Sequence, residues 1–118
     1  LSLYRNHAVG GTAIASGGTI TIAGRATIHD NDGTSADAPE IGKTGSAVEV
    51  WAYGAALTTL TIQGAARIRD NVAATGGGGL FIWTACGDHE PTVTGARGRV
   101  IGNTPKNVVR WTVTDGCY

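Results

Sequence analysis

The sequence has no methionine, a single phenylalanine and only three prolines, and charged residues make up 15% of it with no net charge. So sparse and balanced a charge gives no electrostatic reason to expect nucleic acid or an anionic membrane surface as a partner. No apolar run approaches the roughly 18 residues that a membrane-spanning helix needs, so membrane insertion is not expected. Nor is there a charged and apolar leader of the secretory kind, although the chain opens on Leu1 rather than methionine and reads as processed, trimmed or excerpted. The two cysteines, Cys86 and Cys117, lack the close pairing of a zinc or redox motif. A disulfide between them is the preferred reading, which would imply an oxidising, extracellular setting; two buried free thiols are the alternative. Helical periodicity is absent throughout.

What the chain does have is glycine, nineteen of them, with abundant threonine and alanine, a composition suited to short strands and tight turns. It also repeats. Ile22-Ala23-Gly24-Arg25-Ala26-Thr27-Ile28-His29-Asp30-Asn31 aligns without a gap to Ile62-Gln63-Gly64-Ala65-Ala66-Arg67-Ile68-Arg69-Asp70-Asn71. Leu3-Tyr4-Arg5-Asn6 matches the end of this unit, and Thr92 to Asn103 forms a weaker copy with one extra residue after Gly95. The 118 residues thus divide into one domain with a partial first coil, 1–16, and further coils at about 17–56, 57–91 and 92–118. Unequal intervals between Asn6, Asn31, Asn71 and Asn103 are absorbed by loops, chiefly 32–45 and 84–91.

Each full unit reads strand, glycine turn, strand, asparagine turn, loop, strand. The strands alternate polar and apolar residues, as in Thr19-Ile20-Thr21-Ile22 and Val48-Glu49-Val50. Three short strands that cannot bury their apolar faces alone describe a coil of a parallel β-helix, each coil bonding to the next. The expected fold is therefore all-β, a parallel β-helix of about four coils. Its inward residues are Ile14, Ile20, Ile22, Ala26, Ile28, Val48, Val50, Leu60, Ile62, Ala66, Ile68, Leu80, Ile82, Val93 and Val100. Asn6, Asn31, Asn71 and Asn103 are expected to stack as an inward amide ladder that satisfies the backbone of the turns. Thr104-Pro105-Lys106 is expected to turn the chain before a last strand, Asn107 to Val113.

The units Ile28-His29-Asp30-Asn31 and Ile68 to Leu80, with its run Gly76 to Gly79, resemble the right-handed parallel β-helix repeats of bacterial surface proteins, including polymorphic outer-membrane proteins and autotransporter-like adhesins. The resemblance covers most of the chain and implies a right-handed solenoid. It speaks to fold more than to function, because the same scaffold hosts adhesins, polysaccharide lyases and hydrolases, tailspikes and fibres.

Outward positions offer three surfaces. Arg25, Arg67, Arg69, Arg97 and Arg99 gather with His29 into a basic stripe, suited to an acidic polysaccharide or simply to pairing with Asp30 and Asp70. A lyase would also need clustered carboxylates for calcium, and none is evident. Trp51, Tyr53, Phe81 and Trp83, beside Glu49, form an aromatic face for sugar stacking or lateral contact, unless a loop covers it; the orientation of Trp111 conflicts with that of Arg110. The Thr-x-Thr triplets at 19–21, 59–61 and 92–94, of which two align without adjustment, resemble the ice-binding faces of some antifreeze proteins. Asp30-Asn31-Asp32-Gly33 lacks the alternating ligands of a calcium loop. Asp88-His89-Glu90 has no nucleophile beside it, and the serines lack an elbow motif. No catalytic residue, metal site or cofactor is assigned.

The expectation is a non-catalytic extracellular structural protein. Its partners would be itself, stacked head to tail in a filament, or the remainder of a larger surface adhesin. A carbohydrate-binding or polysaccharide-degrading module, with glycans as partner, is the competing class.

Overall fold

The computed structural model describes residues 1–6, 13–33, 46–52, 57–85 and 89–113. Among these there is no helix, and therefore none long and apolar enough to cross a membrane. The described residues form twelve strands: β1 (Ser2–Tyr4), β2 (Ile14–Ser16), β3 (Thr19–Ile22), β4 (Thr27–His29), β5 (Asp32–Gly33), β6 (Val48–Ala52), β7 (Thr59–Ile62), β8 (Arg67–Arg69), β9 (Val72–Ala85), β10 (Thr92–Thr94), β11 (Val100–Ile101) and β12 (Thr104–Val113). They form three parallel sheets. The first has the order β3-β7-β10, the second β1-β4-β8-β11, and the third β2-β6-β9-β12 with β5 also paired to β9.

From β3 onward the chain visits the first, second and third sheets in fixed rotation. Parallel neighbours need a long crossover, usually supplied by a helix. Here the passage through the other two sheets is the crossover. Register follows the repeat: Ile22 pairs with Ile62, and Leu3, Ile28, Ile68 and Val100 form one continuous row.

All the residues expected to point inward pack in one cluster. Those of the middle strands, such as Leu60, Ile68, Val48 and Leu80, are fully buried, whereas Ile14, Ile20 and Val93 nearer the ends are only partly so. Complete burial of one such aliphatic side chain contributes about 1.5–3 kcal/mol. Ala26 and Ala66 occupy the corner between first and second sheets, where the interior is narrow.

The glycine run does not precede a strand, as the alternation suggests, but lies inside one. β9 runs unbroken through Gly76 to Gly79 and curls, pairing with β5 at its start and with β6 at its end. Glycine is needed because this curl passes against the asparagine turns. A Cβ on Gly79 would sit 2.6 Å from Asn103 Nδ2 and 2.7 Å from Val100 Cγ1, and one on Gly78 would sit 2.7 Å from the Asn71 carbonyl oxygen. The Thr104-Pro105-Lys106 segment also departs from expectation. It is part of β12, with a cis peptide at Pro105 and irregular register on both sides of Lys106, rather than a turn before the strand.

Candidate functional site

The densest polar constellation lies where the second sheet hands the chain to the third. Arg5, Asp30 and Asp70 there adopt left-handed backbone (φ 57°, 54° and 56°), and Gly102 takes the same conformation in the last copy. Each is followed by an asparagine; Asn31, Asn71 and Asn103 are buried as expected of the ladder, whereas Asn6, on the outermost strand of the row, is exposed. Asn31 Oδ1 accepts the Asn6 backbone N–H at 3.0 Å and its Nδ2 at 2.8 Å. Asn71 Oδ1 does the same for Asn31, and Asn103 Oδ1 for Asn71. The second hydrogen of each Nδ2 goes to a carbonyl of the second sheet one level back: Asn31 to Leu3, Asn71 to Ile28, Asn103 to Ile68. A side-chain amide offers two donor hydrogens and an oxygen with two acceptor sites. At Asn31 and Asn71, both 1% exposed, all are in use.

The five arginines are not one stripe. Arg67 and Arg99 are neighbours in one row, while Arg69 lies in another with Tyr4, His29 and Ile101. Arg25 and Arg97 sit in the exposed corner between first and second sheets, with the Ala65 corner between them. Most of this charge is engaged locally. Arg67 donates to the Ala66 carbonyl, Arg99 to those of Gly64 and Gly95, and Arg69 pairs with Asp70. His29 Nδ1 lies 2.6 Å from Asp30 Oδ2 and stacks on Tyr4 at 5.2 Å between centroids. The strand register sets these residues apart because arginines two positions along a strand share a face but not a row.

The aromatic face is assembled, yet it is largely closed. Trp51, Trp83 and Trp111 fall in one row across β6, β9 and β12, and Glu49, Phe81 and Val109 in the next. Trp51 and Trp83 stack at 6.5 Å, and Phe81 meets Trp111 edge-on at 6.0 Å. Phe81 and Trp83, expected as exposed platforms, are buried at 1% and 3%, as is Glu49; Trp111 is the exposed member of the row. Position accounts for part of this: Trp83 lies between Trp51 and Trp111 in its row, and Phe81 lies between Glu49 and Val109 with Trp111 edge-on against it. Trp51 is only partly buried and its indole packs over Gly17. Trp83 Nε1 is buried with no hydrogen-bond partner among the described residues. Tyr53, Cys86 and Cys117 lie outside the described residues.

Threonines of the first sheet form two complete rows, Thr19-Thr59-Thr92 and Thr21-Thr61-Thr94. The third triplet needs no adjustment, because the extra residue of its copy falls after β10, in the corner of Gly95 to Arg99. No group of three or more potential metal-ligating side chains occurs among the described residues.

The chain matches no known protein family, no curated protein and no solved structure. Its chemistry therefore has to be read from this geometry. One participant escaped the sequence reading: Asn107, whose Oδ1 accepts both the backbone N–H and Nδ2 of Asn103, at 2.9 and 3.2 Å. Its only sequence signal is an asparagine four residues beyond a ladder position, inside an alternating strand.

Proposed function

We propose that the three-sheet rotation is a right-handed parallel β-helix and that the chain is a non-catalytic structural scaffold, a segment of an extracellular surface protein of the adhesin type. Right-handedness is the hand that nearly all parallel crossovers adopt. The observation that carries the reading is the asparagine ladder. In each successive turn the polar side chain best placed for chemistry is spent on holding one level of backbone to the next. Arginines that donate to corner carbonyls of their own or the neighbouring copy, and tryptophans stacked on one another, extend the same economy to the outer faces. A glycan array and a polysaccharide pull-down test the proposal. The scaffold should be silent in both; saturable binding or turnover lost in Trp51→Ala and Trp83→Ala would replace it with a carbohydrate-active module.

The threonine rows favour a second reading. Six threonines on one parallel sheet repeat at about 4.8 Å across strands and about 6.7 Å along them. Both spacings are close to repeats of the ice lattice, so the face is a candidate ice-binding surface. Ice recrystallisation assays decide it: inhibition by the parent chain that disappears in Thr61→Lys supports ice binding, and its absence in the parent chain eliminates it.

A further inference from the structure

The middle copy passes from the first sheet to the second through Gly64-Ala65-Ala66, and four arginines gather around that turn. Arg67 follows it and donates from Nη1 to the Ala66 carbonyl at 2.7 Å. Arg99, one level on, reaches back over it, donating from Nε to the Gly64 carbonyl at 3.1 Å and from Nη1 to that of Gly95 at 3.3 Å. The Gly64 and Ala66 carbonyls belong to residues two apart, so no more than about 7 Å separates the points that anchor the two guanidiniums. Arg25 lies one level back, beside Ala65, whose N–H donates to the Gly24 carbonyl. Arg97 belongs to the corresponding corner of the last copy, and both Arg25 and Arg97 are exposed.

A carbonyl positions a guanidinium but does not neutralise it. The ion pairs between described residues join His29 to Asp30, Arg69 to Asp70 and Arg110 to Glu90, and none includes Arg25, Arg67, Arg97 or Arg99. Asp30 and Asp70 follow the C-terminal ends of β4 and β8, away from this turn. Arg67 and Arg99 stand in one row on adjacent levels, about 4.8 Å apart at the backbone. Like charges so placed oppose folding, and arginine cannot shed its proton to relieve them. A scaffold alone gains nothing from the arrangement. The corner is also open: Ala65 is small and exposed, and a Cβ on Gly24 or Gly98 would meet nothing within 4 Å.

From these contacts we infer that the corner is a binding site for a phosphate group. Each guanidinium carries five N–H donors in a planar fork; Arg67 spends one on the turn and Arg99 two, which leaves donors on both for a ligand. A phosphate monoester, with a charge of about −2 and three acceptor oxygens in tetrahedral directions, accepts from two such forks at once. The planar oxygen pair of a carboxylate serves one fork. Arg25 and Arg97 flank the same turn and add attraction at longer range. The site goes beyond the scaffold reading and does not depend on it, since it requires the strand register and the corner, not the hand of the coil or an extracellular setting. Zero net charge over the whole chain conceals it.

Titration of the full chain with inorganic phosphate tests the site, followed by NMR of arginine Nε–Hε and backbone amides and compared with acetate and chloride at equal ionic strength. Phosphate should give saturable shifts at Arg67, Arg99 and residues 64–66, acetate weaker ones and chloride none. Arg67→Gln combined with Arg99→Gln should weaken phosphate binding at least about tenfold, as loss of a charge-assisted hydrogen bond does. Arg69→Gln, a charge loss elsewhere on the same sheet, should leave it within about twofold because exposed charges are screened. Ala65→Glu sets a carboxylate among the guanidiniums; it should abolish phosphate binding while raising the thermal midpoint, a combination that misfolding cannot produce. Absence of saturable phosphate shifts, acetate binding as tight as phosphate, or an Arg69→Gln loss as large as that of the double variant overturns the site. A last arm separates the sources of the group. Binding to phosphatidylcholine vesicles doped with phosphatidic acid, absent with plain phosphatidylcholine and abolished by Ala65→Glu, assigns a lipid headgroup; shifts with free phosphate alone assign a soluble phosphate ester.

Discussion

Asn71→Ala is the sharpest perturbation of this fold, because it removes four side-chain hydrogen bonds at a site 1% exposed. Two of them leave the Asn31 backbone N–H and Nδ2 without their acceptor, and a third takes a side-chain donor from the Ile28 carbonyl, all in the interior. At about 1 kcal/mol net per bond, with further cost for orphaned buried groups, the loss is about 4 kcal/mol. A domain of this size is stable by only about 5–15 kcal/mol, so the melting midpoint should fall by about 10–20 °C. Asn6→Ala is the internal control. Asn6 is exposed and its side chain makes one hydrogen bond among the described residues, to Asn31, so the cost there is about 0.5–1 kcal/mol. Urea unfolding followed by far-UV circular dichroism and by tryptophan emission measures both. All three tryptophans lie in one row of the third sheet, so a mismatch between the two probes would show the stack parting at the broken rung rather than unfolding in one step. If the two variants differ by less than about 1 kcal/mol, the ladder is not what joins the levels.

The remaining predictions address the backbone around the ladder. Gly79→Ala forces a methyl into contact with Asn103 Nδ2 and Val100 Cγ1, two buried neighbours, and should cost about 1–3 kcal/mol in the same unfolding assay. At Asp70, with φ at 56°, valine should cost about 1–2 kcal/mol, whereas glycine, the residue already at the equivalent position 102, should stay within about 0.5 kcal/mol of the parent. The reverse order at Asp70 would mean that the Arg69 ion pair, not the left-handed backbone, is what that position contributes.

Alternation and turn chemistry make the first and second sheets readable from sequence because both are built from residues that repeat every copy. Thr-aliphatic-Thr-aliphatic, the glycine corner and the asparagine turn recur, and recurrence in a stack becomes register. The third sheet repeats least and was read least well. Its longest strand threads a glycine run that local preference assigns to a turn; only the tertiary approach of Asn71, Val100 and Asn103 explains why those residues are extended and bare. Arg110 and Trp111 posed the same difficulty in another form. Hydropathy wants the tryptophan inside and the arginine outside, and pairing with Ile82 and Trp83 does the opposite. At an end strand the inward row meets solvent, so the usual penalty for a charge there is absent, and the rule that reads burial from alternation loses its force.

The same reasoning explains why the ladder was legible but its closure was not. A rung must recur to be seen as a rung, whereas a closing residue occurs once. The asparagines tolerate intervals of 25, 40 and 32 residues while keeping amide-to-amide distances of 2.8, 2.8 and 2.9 Å. Interval length is therefore free and turn geometry is not. Long insertions between rungs cost little, since loop-closure entropy grows only slowly with length. Asparagine turns built this way can lie at unequal intervals along the chain and still form one ladder.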